Sequence, residues 1–168
     1  EATRELMIRL FARALLGFQS GEKTRLVSGG NDADGVFLLP FLRRHLGEEA
    51  AERAHKLLQM RGGNSAAEKM INIDAQGQVH PDQFWQSAIM GNIYEQELNE
   101  ILTNHPYLWL KHREEHLHGR CRDCAFLSLC RGSHRERALT RTGDMFASDP
   151  ACYLHDVETA APRQEVVA

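Results

Sequence analysis

Four cysteines, Cys121, Cys124, Cys130 and Cys152, make up all the thiols of the 168-residue chain, and none precedes residue 121. Two residues separate the first pair, five the next and twenty-one the last. Four thiolates satisfy either a tetrahedral zinc ion or one 4Fe–4S cube. The Cys-x2-Cys pair would set two ligands on one turn, and the remote Cys152 would close the site like a clasp. An even count also permits two disulfides. Secreted disulfide scaffolds, however, are usually shorter and spread their cysteines through the fold. The pattern therefore favours a metal or cluster in a reducing cytoplasm. A second Cys-x2-Cys pair, which would favour a zinc knuckle, is missing. Three near ligands and a distant fourth suit the wider corners of a cube, with zinc as the alternative.

Other polar groups gather at turns. Asn31, Asp32 and Asp34 follow Gly29-Gly30 where a strand is expected to give way to a helix. Such junctions often line the mouth of an α/β site, although these residues also suit helix capping. His80 and Asp82 flank Pro81 beside Phe84 and Trp85, which fits binding, proton transfer or a packed polar turn. His112 and His116 are four apart, yet His112-Arg113-Glu114-Glu115-His116 lacks the Glu position of a zinc-protease helix. Between Lys111 and Arg141 eight Lys or Arg face four Asp or Glu, so the cysteine segment carries local positive potential.

The elements that must carry these groups follow from periodicity. Residues 4–16 predict an amphipathic helix with Thr3 as cap and Leu6, Leu10, Phe11, Ala14 and Leu15 on one face. A short strand at Leu26-Val27 should lead into a helix that Pro40 kinks or restarts. A helix is expected over 48–60, with Ala51, Ala54, Leu57 and Leu58 inward and Gly62-Gly63 as its stop. Residues 71–79 read as a β-hairpin turning at Asp74–Gly77. Short helices follow at 95–104 and 133–139, and an amphipathic one over 107–120.

Composition excludes several classes. With 20 basic and 23 acidic residues the formal charge is −3, which argues against nucleic-acid binding. No apolar run reaches the about eighteen residues of a membrane span. Neither phosphate-loop pattern is present.

Three stretches, 29-GGNDADGVFLLPFLRR-44, 62-GGNSAAEKMINIDAQGQVHPDQFW-85 and 148-SDPACYL-154, together with the four cysteines, carry a resemblance. In that order they resemble the C-terminal region of SPASM-type radical S-adenosylmethionine proteins, in the heme d1 biosynthesis branch. The resemblance implies that Cys121, Cys124, Cys130 and Cys152 hold an auxiliary 4Fe–4S cluster. It implies an N-terminal partial barrel, outside these residues, that binds S-adenosylmethionine and a second 4Fe–4S cluster. It also implies action on the propionate side chains of the tetrapyrrole 12,18-didecarboxysiroheme, with ferredoxin or flavodoxin as electron donor. A related radical decarboxylase of heme synthesis is the alternative enzyme; a zinc-stabilised binding module is the non-enzymatic one.

Two departures limit what carries over. The radical-generating Cys-x3-Cys-x2-Cys motif is absent here, so the segment is not expected to be active alone. Asp82 stands where many SPASM domains have a cysteine, so a further auxiliary cluster is not expected. No catalytic residue is assigned. Asn31, Asp32, Asp34, His80, Asp82, Arg120, Arg122 and Arg131 are the candidates to face the tetrapyrrole.

The expected fold is α/β. Residues 1–68 would supply the last strand–helix units of the partial barrel, with strands near Leu26 and Ile71. Residues 69–156 would form a SPASM-like hairpin-and-helices domain around the cluster, and 157–168 a flexible tail.

Overall fold

A computed structural model describes residues 1–23 and 25–159; most of the expected tail lies outside the described residues. Helix α1 (Ala2–Gln19) runs longer than its apolar pattern and is capped by Glu1, not Thr3. Met7 and Phe11 are its buried side chains, while Leu6 is exposed. The inward stripe is therefore rotated from the expected one. Arg4 contributes to that rotation, because its guanidinium lies 4.4 Å above the Phe37 ring.

Helix α2 (Ala33–Leu46) passes through Pro40 as one element. Helix α3 (Glu48–Arg61) packs against it and ends at left-handed Gly62. Ala51 is buried as expected, but Leu57 is exposed. No strand forms at Leu26-Val27. Both side chains are exposed, and the segment has no neighbouring strand to complete a hydrogen-bond ladder.

The strand near Ile71 belongs instead to a small antiparallel sheet of three strands in sequence order. Strands β1 (Asn72–Ile73) and β2 (Gln78–His80) form the expected hairpin, with Asn72 opposite His80. Asp74 Oδ1 accepts from the Gln76 and Gln78 amides at 2.9 Å each, which fixes the turn. Strand β3 (Gly91–Asn92) pairs with β2. Gly77 has a positive φ, and a Cβ there would meet the Tyr94 ring at 2.6 Å.

Helix α4 (Leu98–Thr103) follows, but 107–120 does not form the expected helix. Leu108–Glu115 is a 3-10 segment broken at His112 (φ −125°, ψ 34°). Arginine side chains take its carbonyls. Arg113 Nε donates to Leu110 O at 2.8 Å, and Arg131 Nη2 donates to Lys111 O at 2.9 Å. His112 and His116 consequently do not share a helical face. His116 stacks near Trp109 and Phe146, with centroids 5.9 and 5.7 Å away.

Short helices α5 (Leu127–Cys130), α6 (Arg135–Thr142) and α7 (Asp156–Thr159) complete the chain. One core joins Met7, Phe11, Val36, Phe37 and Leu39 to Leu129 and Leu154, so it reaches across the 68/69 boundary. A second core around Val79, Trp85, Ile101 and Leu110 backs the sheet.

Candidate metal centre

Each cysteine arrives on a different local device. Cys121 ends a 3-10 turn, Gly119–Cys121, and its amide donates to Ser148 Oγ at 3.1 Å. The Cys124 amide donates to Cys121 O at 3.3 Å, closing the Cys-x2-Cys loop. Cys130 is the last residue of α5, after which Arg131, Gly132 and Ser133 all adopt positive φ (53°, 73° and 56°). Two of these three are not glycine, so the turn is strained. The strain has a local return, because the Gly132 amide donates to the Cys130 sulfur.

Cys152 comes from the Asp149-Pro150-Ala151-Cys152 clasp. The Cys152 amide donates to Asp149 O at 3.0 Å, and Asp149 Oδ1 accepts from the Ala151 amide at 2.9 Å. Arg137 grips Asp149 with Nη2 2.5 Å from Oδ2, and Asn31 Nδ2 donates to Ala151 O at 3.2 Å. The clasp is thereby tied to the start of α2. At the other wall, Gly63 (φ 64°) lies against the backbone of Leu129 and Cys130. A Cβ at Gly63 would come within 2.8 Å of two backbone atoms.

The four thiols line one cavity with Ala33, Leu127, Gly132 and Leu154 and with the polar Arg120, Ser133, Ser148, Asp149 and Thr159, although the surface exposed inside it is almost entirely apolar. All four are free thiols. Burial pushes the Cys130 thiol up to about 12, and it also raises Cys124 and Cys152. Backbone amides of Phe126, Gly132 and Leu154 donate to Cys124, Cys130 and Cys152 and oppose that rise. Among the described residues, no three His, Cys, Asp or Glu side chains converge closely enough for one metal ion. Four sulfur donors, an apolar wall and amides aimed at sulfur fit a thiolate-held iron–sulfur centre.

The other expected site residues separate into two groups. Asn31, Asp32 and Asp34 do gather beside this centre, but with internal partners. The Asp32 amide donates to Ser133 Oγ at 3.2 Å, and Asp34 Oδ1 accepts from Tyr153 OH at 2.7 Å. Asp34 also accepts from Ser28. Arg120 is exposed, reaching Leu154 O and pairing with Asp156 at 2.8 Å. Arg122 is exposed as well.

His80, Asp82 and Arg131, also expected to face a ligand, are buried and internally bonded. His80 Nδ1 lies 2.9 Å from Ala88 O, and Nε2 lies 3.2 Å from Asp74 Oδ2. Asp82 Oδ1 accepts from the Phe84 and Trp85 amides at 2.8 and 2.9 Å. Arg131 pairs with Glu68 and, at 2.6 Å, with Glu114. These are bonds that hold the sheet and the α5 turn.

Sequence reasoning missed Ser148, Arg135 and Arg137, which brace the centre, and His134, which lies 3.6 Å from Asp82. The Asp-Pro turn signalled the clasp. Nothing in the pattern marked the arginines, because long cations read as solvent-facing.

Comparison with known proteins places these residues in context. Residues 65–125 match the SPASM family, an iron-sulfur cluster-binding domain. The match contains Cys121 and Cys124; Cys130 and Cys152 lie beyond it. The chain is 41% identical over 162 residues to the pre-heme d1 synthase of Dinoroseobacter shibae, covering 94% of this chain and 40% of that protein. It is 32% identical over 160 residues to the Fe-coproporphyrin III synthase of Methanosarcina barkeri, covering 92% of this chain and 40% of that protein. The chain thus spans about 40% of the length of these curated relatives.

Proposed function

From a chain that carries a SPASM iron–sulfur segment and is related along most of its length to two tetrapyrrole synthases, we propose the C-terminal, auxiliary-cluster part of a radical S-adenosylmethionine enzyme of heme d1 synthesis. The supporting observation is the single apolar cavity lined by Cys121, Cys124, Cys130 and Cys152. A zinc ion would need its four sulfurs about 2.3 Å from one point. A cavity ringed by thiols suits a 4Fe–4S centre better. When bound, that centre would supply a one-electron couple near the substrate.

This chain's own residues do the rest. The four thiolates hold the centre, Phe126, Gly132 and Leu154 amides neutralise charge on sulfur, and Leu127, Leu129 and Leu154 exclude water. Arg137, Asp149 and Asn31 keep the clasp shut. In the whole protein, an N-terminal barrel would bind S-adenosylmethionine and the radical-generating 4Fe–4S cluster, and this segment would not be active alone. The substrate would be 12,18-didecarboxysiroheme, acted on at its propionates in the cytoplasm, with ferredoxin or flavodoxin as reductant.

Anaerobic loading with iron and sulfide tests the centre. The unsubstituted chain should bind about one cube's worth of iron with a broad visible absorption band, and Cys124→Ser should lose most of it. Unchanged iron in Cys124→Ser would refute the ligand set, and a colourless protein holding one zinc would favour a binding module. The Fe-coproporphyrin III synthase relative keeps open a second reading, another radical enzyme of heme synthesis, for which the sequence offered a decarboxylase. Mass spectrometry of products from the whole protein offered each tetrapyrrole separates the two.

A further inference from the structure

Arg113, Arg131 and Arg135 are buried among the described residues, and they differ in what balances their charge. Arg131 has Glu68 and Glu114. Arg113 has only neutral acceptors, Asn64 Oδ1, Ala66 O and Leu110 O, and it stands over the second core. Arg135, 2% exposed, also has no ion pair among the described residues. Its terminal nitrogens donate to Gly132 O, to Met145 O at 3.1 Å and to Ala147 O at 2.7 Å, while its buried Nε has no partner.

The place of Arg135 distinguishes it. Gly132, which it holds by the carbonyl, lines the thiol cavity, as do Ser133 and Ser148 beside its other contacts. Cys121 and Cys130, once ionised, and Asp149 between them in weight, favour its charge against burial. Asp149 is already engaged twice by Arg137. A buried cation without a carboxylate is costly unless another anion answers it. A 4Fe–4S core bearing four thiolates is net negative in both of its usual oxidation states, and nearby charge tunes its potential.

Resting on the auxiliary-cluster reading, we propose that the Arg135 guanidinium is the built-in counter-charge of the Cys121/Cys124/Cys130/Cys152 centre, a positioning residue that raises its reduction potential. Reduction adds one electron to an already negative group, and a fixed cation bonded to the Gly132 carbonyl at the cavity wall stabilises the reduced state more than the oxidised one. The same side chain gathers the Gly132, Met145 and Ala147 carbonyls, whose oxygens would otherwise add negative potential nearby.

The test uses this chain loaded anaerobically with iron and sulfide, comparing the unsubstituted protein with Arg135→Gln and Arg135→Lys. Iron and sulfide content is measured alongside the midpoint of an EPR-monitored redox titration. Arg135→Gln should retain its iron but shift the midpoint negative by about one decade in the reduced-to-oxidised ratio, about 59 mV for a one-electron couple. Arg135→Lys should stay near the unsubstituted value. A fully loaded Arg135→Gln protein with an unshifted midpoint would overturn the proposal, as would an equal shift in both variants. If Arg135→Gln cannot hold iron, Arg135→Lys decides: full iron and an unshifted midpoint uphold the charge role, and loss of iron in both reduces Arg135 to a backbone brace. An unsubstituted chain that binds no cluster refutes the auxiliary-cluster reading itself, a different failure.

Discussion

At the scale of single residues, the groups that support the thiols carry as much consequence as the thiols. Asp149 is buried, bonded twice to Arg137 and once to the Ala151 amide, and it shapes the turn that presents Cys152. Asp149→Ala should therefore destabilise the protein by about 2 kcal/mol, since it takes an acceptor from the half-buried Arg137 guanidinium and from the Ala151 amide together. Thermal unfolding measures this; a change within experimental noise would show that the clasp does not depend on Asp149. Tyr153→Phe is a milder test. It removes one hydrogen bond to Asp34, which keeps Ser28, and should cost about 1 kcal/mol. The convergence of the four cysteines on one cavity was readable from their spacing. The role of Arg135 was not, because its acceptors are the carbonyls of Gly132, Met145 and Ala147, which come together only once the turns have folded.

At the scale of elements, two glycines separate backbone conformation from crowding. Gly30 and Gly63 both have positive φ, but only Gly63 faces neighbours where a Cβ would stand. Gly30→Ala should cost about 1–2 kcal/mol, the left-handed penalty alone. Gly63→Ala should cost clearly more, by about 1–3 kcal/mol of overpacking against the Leu129–Cys130 backbone, and should loosen iron binding. Equal losses in urea denaturation would show that the contact is unimportant.

The hairpin, α3 and α4 were legible because their signals are local: Asp74 to Gly77 for the turn, Gly62 for the helix stop. The strand expected at Leu26-Val27 failed because a strand needs a neighbour that sequence does not show. The helix expected over 107–120 failed because Arg113 and Arg131 reach carbonyls at Leu110 and Lys111. In both places tertiary partners overrode the pattern.

At the scale of the molecule, buried carboxylates link the parts and set the acid limit of the fold. Burial alone would raise Asp82 and Asp149. His134 and two amides hold Asp82 below the ordinary carboxylate range, and Arg137 and the Ala151 amide do the same for Asp149. Burial would likewise raise Glu68, but Arg131 holds it low. Groups whose folded pKa is depressed contribute fully above the unfolded value, about 3.9 for Asp. Their contribution is lost as pH falls through the lower folded values. Stability should therefore fall gently below neutral pH, where burial holds His105 under the ordinary imidazole range, and steeply below about 4. A urea midpoint measured across that range should show the bend, and Asp149→Asn should make it shallower; a midpoint independent of pH would contradict the assignment.

The clasp has a kinetic side. Cys121, Cys124 and Cys130 lie close together in sequence, whereas Cys152 returns after twenty-one intervening residues on a segment tied to Asn31 and Arg137. A tethered ligand of this kind rebinds at an effective concentration of about millimolar, without waiting for diffusion. A corner of the centre that opens should then reclose before a dilute chelator can intercept the iron. Cys152→Ser should keep three anchors but lose this recapture, so its iron should drain to a chelator many times faster than from the unsubstituted chain. As a ligand, the distant fourth thiol would act on residence time as much as on affinity.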